Sequence, residues 1–322
     1  MIYIKSKKIV PIIMAAGFLL CTAVRTYGIV VCTDMTTGAY YHDSALLCNI
    51  LYYGIIALTF VGAVIAVRAA EKGDFGSVAE TDIVDGRAAV FGFGMLIPAI
   101  CAGYEALGEA RALTPSSMLI FADYIFAGVW GILAFVVLYK KEFKPFMGFI
   151  IAVGGVYFTV RGINCFKERM VIASIPEYLA APLCATGAAL TMLSLGRFLS
   201  GNSGKLTKRT LFGWGTATAV AALSNAAATA LADLTAPEEI SRRITLSKNE
   251  AEMFFQTVRG NDGYMMAYTP LVDILSGAFI AAALIVILFA KHTENVENNV
   301  ENTVKDELED VENYVESDEN PR

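Results

Sequence analysis

Six polar side chains stand inside or at the edges of long apolar runs, where few polar groups are tolerated. They are Arg25, Glu105, Asp123, Arg161, Asn225 and Asp273. A charged side chain within a bilayer costs about 2.5–3.5 kcal/mol even on insertion scales, so each needs a partner or a task. Arg25 with Asp123 and Arg161 with Asp273, or the same residues paired between halves of the chain, would neutralise one another as structural pairs. Gathered around a cavity, the six would instead form a pocket for a small polar or charged solute. Glu105 is left over after two pairs, which favours the second reading and makes the set a candidate substrate-binding cluster. Arg25 and Arg161 can also extend their guanidinium groups toward a membrane surface.

Other chemistries lack their residues. There is no phosphate-cradling Gly-x-x-x-x-Gly-Lys-Ser/Thr and no His-Glu-x-x-His. His42 and His292 are the only histidines, and the six cysteines contain no Cys-x-x-Cys, so no metal or other cofactor is expected. Gly201-Asn-Ser203-Gly204 places a serine between glycines, but with only His292 on that side it reads as a turn. The chain is therefore not expected to be an enzyme. No basic patch interleaved with aromatics marks a nucleic-acid partner.

The elements that hold these residues are membrane helices. Hydrophobic residues make up 56% of 322 positions and charged residues 17%, with a mean hydropathy of +0.54. Soluble domains are nearer about 45–50% apolar and about 25% charged. Eight apolar stretches run about Ile9–Val31, Leu46–Arg68, Ala88–Glu105, Met118–Tyr139, Lys144–Ile163, Tyr178–Leu199, Arg209–Ala232 and Leu271–Lys291. Each approaches the roughly 20 residues that a bilayer of about 30 Å requires. Alternation of apolar and polar residues, the mark of a membrane β-barrel, is absent. The expected fold is all-α, a polytopic helical bundle embedded in a lipid bilayer. Lys5, Lys7 and Lys8 precede the first run as in a signal peptide, but the run is too long and no small-x-small site closes it. It reads as an uncleaved first helix.

Short-loop Lys and Arg set the orientation. One side carries Lys5, Lys7, Lys8, Arg68, Lys72, Arg87, Lys140, Lys141, Lys144, Arg197, Lys205, Lys208, Arg209 and Lys291. The other carries Arg25, Arg111, Arg161, Lys167 and Arg169. Both termini are expected in the cytoplasm, with the protein in the cytoplasmic (inner) membrane.

The second four spans echo the first. Val24-Arg25 and Leu47-Cys48 recur as Val160-Arg161 and Leu183-Cys184 at an offset of 136. Phe91-Gly92-Phe93-Gly94 opens the third span and Phe212-Gly213-Trp214-Gly215 the seventh, reading as close helix contacts with interfacial aromatics. Asp123 and Asp273 stand early in the fourth and eighth. Four crossings return the chain to its starting side, so the two four-helix repeats would be parallel, as in some transporters. Similar composition generating chance matches is the alternative. The implied organisation is residues 1–143 and 144–293, with an extracytoplasmic insertion at 234–269 and an acidic cytoplasmic tail at 294–322.

The insertion holds two capping-box patterns, at Thr235-Ala-Pro-Glu238 and Ser247-Lys-Asn-Glu250, and so predicts two short helices. They would act as a lid or lie inert at the interface. The tail holds eleven acidic residues against Lys305 and Arg322, a sum of −9, so the rest of the chain is −6 − (−9) = +3. Val296, Val300, Val304, Leu308, Val311 and Val315 recur at helical spacing, fitting a tail that orders on a protein partner. Pro98 should kink the third helix. Cys32 and Cys165 each follow a repeated arginine, and halves packed about a central axis could bring them to bridging distance.

Arg25 followed by Asp34-x-x-Thr37-Gly38 and the aromatics Tyr40 and Tyr41 resembles an element of uncharacterised multi-pass bacterial integral membrane proteins. The resemblance covers about the first fifth of the chain, and Ala39 stands where the aromatic pair would begin. It implies the membrane class and carries no activity with it. Two functions follow as expectations: binding or transport of a small polar or charged solute at the cluster, or a non-transporting sensor or assembly subunit acting through the insertion and tail.

Overall fold

Small residues dominate the helix that everything else packs on. Lys205–Thr235 is a run of Ala, Thr, Gly and Ser with few large side chains, and in the computed structural model it is buried on nearly all sides between Leu211 and Ala228. The structure describes residues 3–32, 42–70, 91, 93–103, 115–140, 147–169, 176–200, 204–235 and 270–288. Among them the chain is helical throughout, without strands: α1 (Tyr3–Val30), α2 (His42–Ala70), α3 (Phe93–Gly103), α4 (Pro115–Lys140), α5 (Met147–Arg169), α6 (Pro176–Leu199), α7 (Lys205–Thr235) and α8 (Pro270–Leu288). Each of the eight apolar stretches thus carries a helix.

Local sequence explains several boundaries. α4, α6 and α8 open on proline, whose missing N–H and fixed φ suit the first helical position. Arg68 and Arg197 close α2 and α6, where a cation offsets the exposed carbonyls of the last turn. Pro98 and Pro182 lie within α3 and α6, which the helices accommodate without ending.

α7 packs on α1, α2, α6 and α8, and a glycine lets the backbones close at each of these contacts. A methyl added at Gly17 of α1 would meet Val220 and Thr59, and one at Gly187 of α6 would strike Thr218. Gly213 faces Phe60 and Val64 of α2, Gly215 faces Leu284 of α8, and Gly277 of α8 faces Ala222 and Leu223. Hydroxyls on α7 bond back to their own helix, Thr229 donating to the Asn225 carbonyl at 3.0 Å and Ser224 to that of Ala221 at 3.2 Å. That lets polar side chains sit in the interior at little cost. α5 packs against α6 on one side and α4 on the other, with the Trp130 indole donating to the Ile150 carbonyl at 3.1 Å. The apolar core joins Phe91 and, from α3, Met95 to Ile151 and Phe158, Met192 and Phe198, Phe212, and Phe279.

Large aliphatics turn outward instead. Leu19, Leu20, Leu47, Ile50, Leu58, Ile65, Ile125, Val129 and Ile132 are exposed, while Gly17, Cys21, Arg25 and Gly28 form the inward stripe of α1, with Cys32 buried just beyond its end. An apolar exterior of this extent is suited to hydrocarbon rather than water. Lys8–Val30, Leu47–Ala70 and Pro182–Leu199 are long and apolar enough to cross a membrane. Phe93–Gly103, Ala122–Val136, Gly148–Ile163 and Asp273–Leu288 are apolar but shorter over the described residues, so length and composition identify three spans where eight were expected. α7 belongs to neither group, and its packing gives the reason. A helix enclosed by others needs small side chains more than greasy ones.

Candidate functional site

α1, α7 and α8 bring three of the six candidate residues together. Arg25 is the largest of the fully buried side chains, and its Nε donates to Asn225 Oδ1 at 3.2 Å. Asn225 Nδ2 in turn donates to Asp273 Oδ2 at 3.3 Å. The amide suits this place because it accepts on one side and donates on the other, bridging a cation to an anion. All three are at most 4% exposed. Pairing therefore runs from the N-terminal part of the chain to the C-terminal part through an amide, a link that the sequence left between two arrangements.

Tyr52 of α2 completes the Arg25 side. Its ring centroid lies 5.5 Å from the Arg25 guanidinium carbon, within cation–π range. Its hydroxyl donates to the Ala221 carbonyl at 3.3 Å, and its own carbonyl accepts from Cys21 Sγ at 3.9 Å. Ser224 lies beside both Cys21 and Tyr52. Arg161 of α5 is also buried, and Cys101 of α3 lies within electrostatic reach of both Arg161 and Asp273. Asp273 thus sits between the Arg25 network and the Arg161 side of the bundle.

The remaining candidates lie elsewhere. Asp123 is half-buried on α4, the helix packed against α5, and joins none of these hydrogen bonds. Glu105 falls outside the described residues, as do Asp34–Tyr41, His292, the tail, the body of the insertion and the Cys165 side chain. A groove of about 510 Å³ opens between α5 and α6, lined by Gly155, Thr159, Gly162, Thr186, Ala189 and Leu190 among others, and contains none of the six residues.

Sequence reading missed Tyr52, Ser224 and Cys101. Tyr52 had a signal: Cys48, Tyr52, Thr59, Ala63, Ala66 and Ala70 trace one helical face of α2 in small or polar residues, and all six are buried. Ser224 and Cys101 are small residues in apolar helices, and nothing in their local sequence separates them from packing positions.

The site therefore belongs to an all-helical protein with segments fit to cross a bilayer, and its centre is a buried Arg–Asn–Asp relay. Comparison of the chain with family models, curated proteins and solved structures finds no match.

Proposed function

We propose that this chain binds or carries a small polar or charged solute at the Arg25–Asn225–Asp273 cluster, as an eight-span protein of two parallel four-helix units. The observation that carries the reading is the relay itself, which concentrates two opposite charges and an amide from three helices in an apolar interior. Intramembrane ionisable groups that face the bundle interior mark solute and ion pathways. Thr22 and Thr26 lie on the Arg25 face of α1, and their hydroxyl oxygens are buried without a hydrogen bond among the described residues. Such hydroxyls are available to a polar guest.

Packing supports the duplication. α1 packs on α2 as α5 packs on α6. The first helix of each unit also meets the third helix of the other, α1 reaching Val220 of α7 through Gly17 and α5 reaching Met95 of α3 through Gly154. Third and fourth helices pair in both units, with Gly131 of α4 against Met95 and Ala99 and Gly215 of α7 against Leu284. An exchange of this form is what a two-fold axis between the units produces.

Orientation rests on the cationic loops and is tested by reporter fusions. Fusions after Lys144 and Lys291 are expected to read cytoplasmic and one near Lys248 external. An external signal after Lys291 would remove both the eight-span count and the parallel arrangement.

Solute binding is tested on the purified protein by thermal melting against a panel of small anions, cations and zwitterions. A ligand at 100 times its Kd stabilises by about 2.7 kcal/mol, a shift of several degrees. Asp273→Asn is expected to abolish the shift caused by the binding solute. A panel without effect on the native protein, together with absent uptake in reconstituted vesicles, would overturn the reading. It would leave a sensor or assembly subunit, a reading that the α5–α6 groove favours because none of its lining side chains is charged.

A further inference from the structure

Cys32 and Cys48 stand 16 residues apart in sequence, yet their sulfurs lie 3.5 Å from each other. Cys32 stands two residues past the last helical residue of α1, and Cys48 sits in the second turn of α2, with both side chains buried. Cys32 thus faces its own neighbouring helix. We propose that these two form a redox-active thiol pair whose oxidation staples the end of α1 to the start of α2.

Geometry, not reactivity, is the ground for it. The sulfurs need approach only to the disulfide length of about 2.05 Å, a displacement that small side-chain rotations supply. Cys21 meets a backbone carbonyl, and Cys101 and Cys184 lie on different helices within the core. The co-reactant is a disulfide, either of a small molecule such as oxidised glutathione or of a thiol oxidoreductase. Cys32 stands in the non-helical turn after Val30, so local opening exposes it first. Its thiolate attacks one sulfur of the co-reactant, forming a mixed disulfide and releasing one thiolate. The Cys48 thiolate then attacks the Cys32 sulfur and expels the second. The protein loses two electrons and two protons, and the co-reactant disulfide becomes two thiols.

The staple would act on the relay. Cys32 is seven residues beyond Arg25, in the turn that follows α1, and Cys48 is one turn before Tyr52 on α2. Arg25 and Tyr52 are the cation–π pair, so the bond would fix the two helices directly beside that contact. The reduced pair leaves this end held by packing and the weak thiol–thiol contact.

The test uses the full chain in membranes, treated with oxidised glutathione or with dithiothreitol, then denatured and labelled with a thiol-reactive polymer. With six cysteines, the oxidised protein should take 6 − 2 = 4 labels and the reduced protein six. Peptide mapping should find residues 32 and 48 joined, and melting should be several degrees higher in the oxidised form. Cys48→Ala should lose both the joined peptide and the oxidation-dependent melting shift, and Cys32→Ala serves equally should the first fold poorly. Six labels on the oxidised native protein, or a joined peptide between other cysteines, would overturn the proposal. Neither outcome bears on solute binding, which is read in the reduced protein.

Discussion

Asp273→Ala should be among the most damaging single substitutions in this protein, lowering stability by about 3–5 kcal/mol. The carboxylate accepts from Asn225, whose own oxygen accepts from Arg25, and all of this lies at no more than 4% exposure. Removing the anion leaves the Arg25 cation buried with a relay that ends on nothing, and the loss is that of breaking a buried pair rather than of one hydrogen bond. Asp273→Asn keeps an acceptor and should cost less. Replacing the charges together, as Arg25→Met with Asp273→Leu, should recover much of the loss, because an apolar pair of similar volume avoids the desolvation cost. Unfolding in mild detergent, followed by tryptophan fluorescence or thiol accessibility, measures the series. An Asp273→Ala protein as stable as the native one would mean that the relay holds nothing together. Full rescue by the double variant, with no solute effect in any background, would remove the carrier proposal for this cluster.

A second large effect is expected where two glycines let α5 and α6 touch. A methyl at Gly148 would meet the Gly196 carbonyl oxygen and the Ser200 hydroxyl. One at Gly196 would lie 2.5 Å from the Gly148 oxygen and 3.0 Å from the Ala152 nitrogen. The obstacles are backbone atoms, so no rotamer change relieves them and the helices must separate. Gly148→Ala or Gly196→Ala should each cost about 1–3 kcal/mol, the range of overpacked interiors. The double variant should cost less than the sum, since the second methyl enters space that the first has already opened. Gly54 and Gly128 have nothing within 4 Å of the same added atom. Gly128→Ala should be neutral or stabilising, because alanine is better than glycine in a helix by about 1 kcal/mol. Equal effects at Gly148 and Gly128 would show that the α5–α6 approach is looser than described.

Helix existence was legible because sustained apolarity over twenty residues has few other outcomes, and α1, α2 and α6 show it fully. That Arg25, Asn225 and Asp273 each need a polar partner was legible too, and the three are hydrogen-bonded in series. Their connectivity was not. Which helix faces which depends on small residues spread over several spans, and an inward stripe such as Gly17, Cys21 and Arg25 fixes the face of α1 but not its partner. Asp123 illustrates the limit: its position early in the fourth apolar stretch matches that of Asp273 in the eighth, yet Asp123 is only half-buried while Asp273 is buried against Asn225 of α7. Equivalent sequence positions acquire different neighbours once one helix becomes the hub. The proximity of Cys32 to Cys48 was hidden for the same reason, because it requires the register of α1 on α2.

That hub has a bearing on how the chain is made. In the proposed eight-span arrangement, α7 leaves the translocon offering hydrocarbon mostly Ala, Thr, Gly and Ser, and so draws little benefit from lipid. Three of the four helices that enclose it, α1, α2 and α6, are synthesised first and are also the three most clearly able to insert unaided. Birth order therefore matches dependence: self-sufficient helices come early, the reliant one follows, and α8 closes over it last. In the eight-span arrangement, a permuted gene that places α7 ahead of its hosts would send its least lipophilic segment into the bilayer with no one to receive it.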